Sequence, residues 1–540
     1  ACSISAEGYA RVNQKLAVVN VTTGPGGLNC LNGVFGEWTD SVPVLYISGQ
    51  VKRRTMLTSY PEISLRQLGD QEVDIVSVVK PITKYAITVE EPSEIKYHLD
   101  RAIYEATTGR KGPVWINIPI DVQAEIIEEN NLKEFVPPLK PIYDLRINDV
   151  LNKISASKRP IIIAGHGIRL SGQIENFNKL INKLKIPIVT TFNGFDIIPS
   201  DNPCYIGRIG TIGQRAGNFA LQNADLIIFL GTRNNIRQVS YNWENFGKNA
   251  FKVVVDIDKA ELDKPLVIPD LKIQADLAEF IPEFVRKVNI ECGIYSDWLD
   301  FCKKIKDKYS FENHPETKQN TIIEPYRFTY ELTKCMREND TLVMANGSAC
   351  VCTFQNAVVK KGQRFILNSG NASMGFGLPA AIGACIANNN KDTICLEGDG
   401  SIMMNLQELQ TIVTNNLPIK IFVINNNGYS SIRQTQRNFF DGRMTGSDEN
   451  SGVSIPDFIA VAQAFGLKTK KMENPKTMEN DIKQVLNTDG AILCEVVTEK
   501  EYAFLPKLSS RKLSDGTIVS PSLEDMYPFL SREELEENLI

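Results

Sequence analysis

Histidine is scarce in this chain: His98, His166 and His314 are the only three in 540 residues. A catalytic triad or a metal cage built from several imidazoles is therefore poorly supplied. An excess of positive charge is also missing. The chain sets 59 Lys and Arg against 64 Asp and Glu, a net charge of -5, and lacks the basic stripe of a nucleic-acid binder. No apolar run reaches the ~20 residues of a membrane span, and no signal peptide is visible. The 11 cysteines are scattered, and the one close pair, Cys350 and Cys352, lacks the spacing of a structural zinc site. They read as mostly buried thiols of a protein kept in the reducing cytoplasm. Internal repeats and low-complexity tracts do not stand out.

What is present is a long series of short apolar runs separated by helical stretches. Residues 16–21, 42–47, 114–118, 160–164, 186–190, 226–230, 252–255, 393–396 and 419–424 are rich in Val and Ile and do not alternate with polar residues. That pattern predicts parallel strands covered by helices on both faces, and so an α/β fold of doubly wound units. A chain of 540 residues is too long for one core, and three domains are the natural expectation. Two stretches read as linkers: 135–141, with three prolines, and 311–323, polar and without periodicity. Cutting there predicts domains over 1–134, 145–310 and 324–540.

The most informative stretch is LEGDGSIMMNLQELQTIVTNNLPIKIFVINNNG, residues 396–428. A buried strand runs into Gly398-Asp399-Gly400 and a helix follows at once, with Ser401 near its start. A second buried strand ends at Asn425-Asn426. In a parallel sheet both turns lie at the carboxyl edge, where ligands of open α/β sheets bind. Asp399 offers a carboxylate, Asn426 an amide oxygen and Gly428 a carbonyl. Hard oxygen donors suit Mg2+, which keeps waters and phosphate oxygens as its remaining ligands. The glycines allow close backbone approach to phosphate, and the helix start supplies N–H donors.

GDG followed after about 27 residues by NN resembles the diphosphate–metal motif of thiamine-diphosphate (ThDP) enzymes, and nearly the whole chain is similar to acetolactate synthase large subunits. The resemblance implies three doubly wound parallel-sheet domains: pyrimidine-binding, middle and diphosphate-binding. It implies Asp399, Asn426 and Gly428 as Mg2+ ligands, with Gly347, Ser348, Gly375, Gly398, Gly400 and Ser401 around the diphosphate. Met374, in NASMGFGLPA, is implied as the residue that props ThDP into a bent shape; core packing is the other reading of a Met. VTTGPGGLN, residues 21–29, resembles the loop that lies against the aminopyrimidine, which brings in Pro25, Gly26 and Asn29. Gly49-Gln50-Val51 and Lys84 match further family positions.

In the family a glutamate in H-E-Q bonds the pyrimidine, just ahead of a helix reading AEGYAR. Residues 6–11 are that AEGYAR, which places the acid two residues before Ala1. The sequence therefore reads as N-terminally truncated, with a cofactor-binding scaffold lacking its acid as the non-enzymatic alternative. Glu7 matches a different family glutamate and is not assigned the catalytic role.

Residues 206–237 resemble a flavin-binding run of the same family. By that resemblance Gly210, Gly213, Asn218, Arg233, Arg237 and Asp256 line an FAD site, and a flavin-free spacer is the competing reading. Asp70 and Thr435 stand where the family has aromatic residues at the acceptor pocket, and Arg433, Gln434 and Gln436 follow the metal loop. They are read either as donors for a polar acceptor or as an ordinary surface helix. The expected activity is decarboxylation of pyruvate or a related 2-oxo acid, followed by carboligation to a second carbonyl. Two alternatives remain: a polar acceptor such as a keto-sugar nucleotide, or simple decarboxylation. A homodimer or homotetramer is implied, and the tail after Tyr502 is expected to cover the site as a lid.

Overall fold

The computed structural model describes residues 1–289, 294–313, 321–512, 515 and 517–540. It contains three α/β domains, each on a wholly parallel sheet. The first sheet holds β1 (Ala17–Val21), β2 (Val44–Gln50), β3 (Tyr85–Thr88) and β4 (Val114–Pro119) in the order β1-β2-β4-β3. The second holds β5 (Pro160–Ala164), β6 (Ile188–Thr190), β7 (Tyr205–Arg208), β8 (Leu226–Leu230), β9 (Phe251–Asp256) and β10 (Leu271–Gln274), ordered β10-β9-β8-β5-β6-β7. The third holds β11 (Thr341–Met344), β12 (Arg364–Ile366), β13 (Thr393–Gly398), β14 (Ile419–Asn425), β15 (Lys468–Met472) and β16 (Ile492–Val497), ordered β12-β11-β13-β14-β16-β15.

The apolar runs become strands because both sheet faces are covered. Every residue of β5, β6 and β8 is buried. The helix Ile174–Leu184 shows the matching half of the bargain. It buries Phe177, Leu180, Ile181 and Leu184, a 3–4 spacing that aims one stripe at the sheet. Each such side chain contributes roughly 1.5–3 kcal/mol by leaving water. The helix ends at Lys185, whose φ of 51° turns the chain out of the helical path.

The strands not anticipated from sequence are mostly edge or short ones. β15 reads KTKKM and is only partly buried, and β3 is half-buried throughout. Edge strands carry fewer apolar residues because only part of their surface meets the core. Residues 135–141 form neither helix nor strand. Most of the other expected linker, and His314, lie outside the described residues.

The C-terminal tail divides between two domains. Its start, Tyr502 and Phe504, lies against the third domain: Gln434 Nε2 donates to the Tyr502 carbonyl at 3.1 Å. The remainder straps the helix Arg215–Asn223 of the middle domain. Asn218 Nδ2 donates to the Leu523 carbonyl at 3.0 Å and Asn223 Nδ2 to the Asn538 carbonyl at 2.7 Å.

Candidate active site

In the third sheet β11 lies between β12 and β13. The chain leaves β11 toward one side and returns on the other, so a crevice opens at the carboxyl ends of β11 and β13. Asn346 and Gly347 follow β11, and Asp399 follows β13. Gly347 has φ 64°, which a side chain disfavours. Gly400 is required for a different reason: a Cβ there would stand 2.2 Å from the Tyr429 ring.

Asp399 is 2% exposed. Its Oδ1 accepts from Gly400 N at 2.7 Å, and its Oδ2 accepts from Asn426 N and Gly428 N, both at 3.0 Å. One carboxylate thus ties the end of β13 to the end of β14. Burial pushes its pKa up to about 6, although three backbone N–H groups and Arg433 favour the charged form.

Arg433 is not a surface residue, which corrects that reading of its helix. It is 1% exposed. Its guanidinium donates to the carbonyls of Asn426 at 3.2 Å, Ser447 at 3.2 Å and Lys500 at 2.9 Å, and to Asn426 Oδ1 at 3.1 Å. Gln434 and Gln436 are half-buried and also bind backbone, of Tyr502 and Thr445. Thr435 is exposed, and its hydroxyl donates to the Ser431 carbonyl of its own helix. The residues expected to hold the metal, Asp399, Asn426 and Gly428, are therefore tied together by Asp399 itself and by a buried arginine that the sequence reading did not identify as structural. A carboxylate, an amide oxygen and a carbonyl at one edge are a donor set that fits Mg2+.

The segment 372–375 hangs over the same crevice. Asn346 Nδ2 donates to the Ala372 carbonyl at 2.8 Å, Gly375 N donates to Ser401 Oγ at 2.9 Å, and Asn405 Nδ2 donates to the Gly375 carbonyl at 2.8 Å. These three bonds place Met374, half-buried, between the turns after β11 and β13. A cavity of about 380 Å³ opens at Ala372 of this segment, lined also by Thr211, Ile212, Arg237, Asn346, Gly347 and Phe504 among others. Ser348 Oγ, one residue beyond Gly347, meets Tyr502 Oη.

The middle domain repeats the topology. Its strand order β10-β9-β8-β5-β6-β7 reverses between β5 and β8, the crevice in which dinucleotide folds hold their ligand. A cavity of about 790 Å³ lies there, lined by Arg110, His166, Gly231, Arg233, Asp256 and Asp276 among others. Ser369 lines both this cavity and the smaller one. Burial pushes Asp256 up to about 7. Arg110 bridges from the first domain, bonding Asp258 at 2.9 Å and Glu261 at 2.8 Å, and Arg233 lies 3.6 Å from Asp40.

The expected flavin residues divide between these places. Arg233 and Asp256 line the large cavity, and Arg237 lines the smaller one. Asn218 instead brackets Gly210, donating to its carbonyl and accepting from its N–H, each at 3.0 Å. A Cβ on Gly213 would stand 2.6 Å from the Ile209 carbonyl carbon. These three residues shape a turn whose neighbours, Thr211 and Ile212, face the cavity. A polar residue flanked by glycines marks such a turn in the sequence, but not which of its members reaches a ligand.

In the first domain Pro25–Leu28 forms a short helix, and Pro25 and Asn29 are exposed. A Cβ on Gly24 would stand 1.9 Å from the Gln71 carbonyl oxygen. Gln50 anchors this loop: its Oε1 accepts from Thr23 Oγ1 at 2.7 Å, and its Nε2 donates to the Val73 carbonyl at 2.9 Å. Lys84 binds the carbonyls of Glu105 and Thr108 at a helix end. Glu7 lies fully buried, paired with Arg11 at 2.7 Å, and Arg11 pairs with Asp40 at 2.7 Å.

Comparison with known proteins reaches all three domains. Residues 1–77 match the thiamine pyrophosphate enzyme N-terminal TPP binding domain, 147–284 the central domain and 345–496 the C-terminal TPP binding domain. The chain is 35% identical over 519 residues to the acetolactate synthase large subunit of Lactococcus lactis subsp. lactis, covering 95% of this chain and 87% of that protein. It is 32% identical to the acetolactate synthase large subunit of Cyanidium caldarium, over 94% of this chain and 86% of the relative. Against the acetolactate synthase isozyme 2 large subunit of Escherichia coli the identity is 30%, over 92% and 86%.

Proposed function

The chain belongs to the thiamine pyrophosphate enzymes, and on that premise we propose that it decarboxylates pyruvate or a related 2-oxo acid and joins the retained fragment to a second carbonyl, the acetolactate synthase reaction. The observation that carries this reading is the Asp399 carboxylate, buried and bonded across two strand ends at a sheet switch point. Thiamine diphosphate, when bound, supplies a carbon nucleophile and a sink for the electrons left by departing carbon dioxide.

The chain's own residues orient and enclose. Asp399, Asn426 and Gly428 would hold Mg2+, which neutralises the diphosphate. Gly398, Gly400 and Ser401, with Gly347 and Ser348 opposite, line the same crevice with backbone and hydroxyl donors. Met374, held over the crevice, would support ThDP and limit the motion of its reacting groups. Pro25, Gly26, Asn29 and Gln50 would contact the pyrimidine of ThDP, in an arrangement where a second copy of the chain holds its diphosphate. Exposed apolar side chains beside both halves support a homodimer or homotetramer: Phe35 and Trp38 near the first loop, and Met403, Met404, Phe439 and Phe440 near the diphosphate edge. Two cavities that share Ser369 suit an extended dinucleotide, which supports FAD across them, with Asp256 and Arg233 toward one end and Arg237 toward the other. Free thiols throughout the described residues fit a cytoplasmic protein. Among the described residues, no helix is long and apolar enough to cross a membrane.

No observation favours a polar acceptor: Asp70 and Thr435 are both exposed, and the relatives are acetolactate synthases. The test uses full-length protein with pyruvate, ThDP and Mg2+. Carbon dioxide and acetolactate are expected, both lost when Mg2+ is chelated. Acetaldehyde alone would convert the reading to a simple decarboxylase, and no turnover of any 2-oxo acid would overturn it.

A further inference from the structure

Two cysteines meet at the base of the loop that carries Pro25, Gly26 and Asn29. Cys2 Sγ lies 3.7 Å from Cys30 Sγ. Cys2 is exposed and Cys30 is buried. The meeting is built into the helix crossing. Helices Cys2–Asn13 and Leu31–Asp40 approach so closely that a Cβ on Gly33 would stand 2.4 Å from the Ser3 side chain. One residue before Ser3 is Cys2, and at the start of the second helix is Cys30. Cys30 Sγ also donates to the Gly26 carbonyl at 3.5 Å, so it braces the loop itself. The remaining cysteines among the described residues lie elsewhere in the fold, and none pairs with another sulfur.

We propose that Cys2 and Cys30 form a redox modification site, in which a hydroperoxide converts the pair to a disulfide and so alters the pyrimidine loop. The Cys2 thiolate attacks the distal peroxide oxygen, the O–O bond breaks, and a sulfenic acid forms with release of the alkoxide (hydroxide from hydrogen peroxide), which takes up a proton. The Cys30 thiol then displaces water from the sulfenic sulfur. Two thiols and one hydroperoxide thus give one disulfide, one water and the reduced peroxide product, with two electrons passing from sulfur to oxygen. A disulfide needs the sulfurs at about 2 Å, so Cys30 must leave the Gly26 carbonyl and move toward Cys2. The loop Pro25–Leu28 loses its brace in the same event. The functional consequence rests on the reading of that loop as the pyrimidine contact; the disulfide itself does not.

The experiment treats the full-length protein with hydrogen peroxide, then compares peptide maps and ThDP affinity before and after dithiothreitol. Expected are one crosslinked peptide joining Cys2 and Cys30, a mass loss of two hydrogens, and a ThDP Kd raised about fivefold or more and restored by reduction. Cys2→Ser, which keeps a small polar side chain, should abolish both the crosslink and the affinity change while leaving reduced-state binding intact. Both cysteines remaining open to alkylation after peroxide would overturn the site. A disulfide that leaves Kd unchanged would overturn the switch. Reduced protein that binds no ThDP would instead count against the proposed function, while the peptide map still judged the site.

Discussion

The crevice between β11 and β13 and the crevice between β5 and β8 arise from the same rule of strand order, yet they are lined in opposite ways. In the third domain the buried Asp399 carboxylate faces the opening, Arg433 is turned onto backbone carbonyls and Asn426 Oδ1, and Arg237 lines the neighbouring cavity. Next to Asp399 a ligand meets negative charge, neutral oxygen and backbone N–H, which is a place for a cation and the anion it carries. In the middle domain acids and bases are mixed. Arg110 is held by Asp258 and Glu261, Arg233 sits near Asp40, and Asp256 is buried without an ion pair among the described residues. That lining suits a ligand recognised by many weak polar contacts. Topology sets where the ligand binds; the side chains at the strand ends set which ligand it is.

The comparison breaks most sharply at Asp399. Asp399→Asn keeps the shape but removes the charge that a divalent cation needs. Mg2+-dependent ThDP binding should fall by at least about a hundredfold and carboligation to background, measured by titration and product assay. Thermal stability should hold or rise, because a buried carboxyl pushed up to about 6 no longer has to ionise. Asp256→Asn, at the corresponding edge of the middle domain, should leave ThDP affinity within twofold. If both substitutions abolish ThDP binding equally, the two crevices are not chemically distinct.

Arg433→Met comes next in size. It strands several carbonyls that the guanidinium now satisfies, at roughly 1–3 kcal/mol for each buried one left without a partner. The Mg2+ concentration for half-maximal activity should rise about tenfold, because the loop from Asn426 to Gly428 loses its fixed shape. Arg433→Lys, with one ammonium in place of a planar fork, should recover only part of this. A normal Mg2+ requirement in Arg433→Met would show that Asp399 alone orders the loop.

A smaller effect separates the cavities. Asp256→Asn and Arg233→Ala should lower the flavin retained on purification several-fold, read as absorbance at the flavin bands per chain. Flavin absent from the wild-type protein, with added FAD giving no thermal shift, would leave the middle crevice without that ligand.

Much of this was legible because burial on two faces writes itself into sequence as unbroken apolar runs. PIIIA and LIIFL announce β5 and β8 without help from context. β15, KTKKM, does not, since an edge strand satisfies its backbone on one side and keeps its side chains in water. The Asp399–Asn426 pairing was legible because two strand ends bring their signals to one place. Arg433 was not, because burial of an arginine depends on carbonyls from Asn426, Ser447 and Lys500 that only the fold assembles. Asn218 misleads for the related reason that one amide serves either a ligand or its own turn, and here it brackets Gly210.

The smallest effect concerns the first domain, whose buried charges reach the middle crevice through Asp40 and Arg233. Glu7 and Asp40 share Arg11, and one Glu7 oxygen, Oε2, is buried without a hydrogen-bond partner. Burial pushes Glu7 up to about 7 from its ordinary 4.5. A carboxyl with a folded pKa above its unfolded value binds protons more tightly when folded. Its share of stability is therefore gained as pH falls from about 7 toward 4.5 and lost as pH rises through about 7. Between pH 6 and pH 8 this one group should cost the fold about 1 kcal/mol, which for domains of this size is roughly 2–4 °C in Tm. Asp256, also pushed up to about 7, adds in the same direction. Glu7→Gln keeps an oxygen for the Arg11 guanidinium but removes the titration, so it should narrow the Tm gap between the two pH values without closing it. ThDP affinity should not change, because the carboxylate at the diphosphate edge belongs to a different network. A Tm gap that stays as wide as in the wild type would mean that Glu7 remains ionised throughout, with Arg11 outweighing the cost of burial.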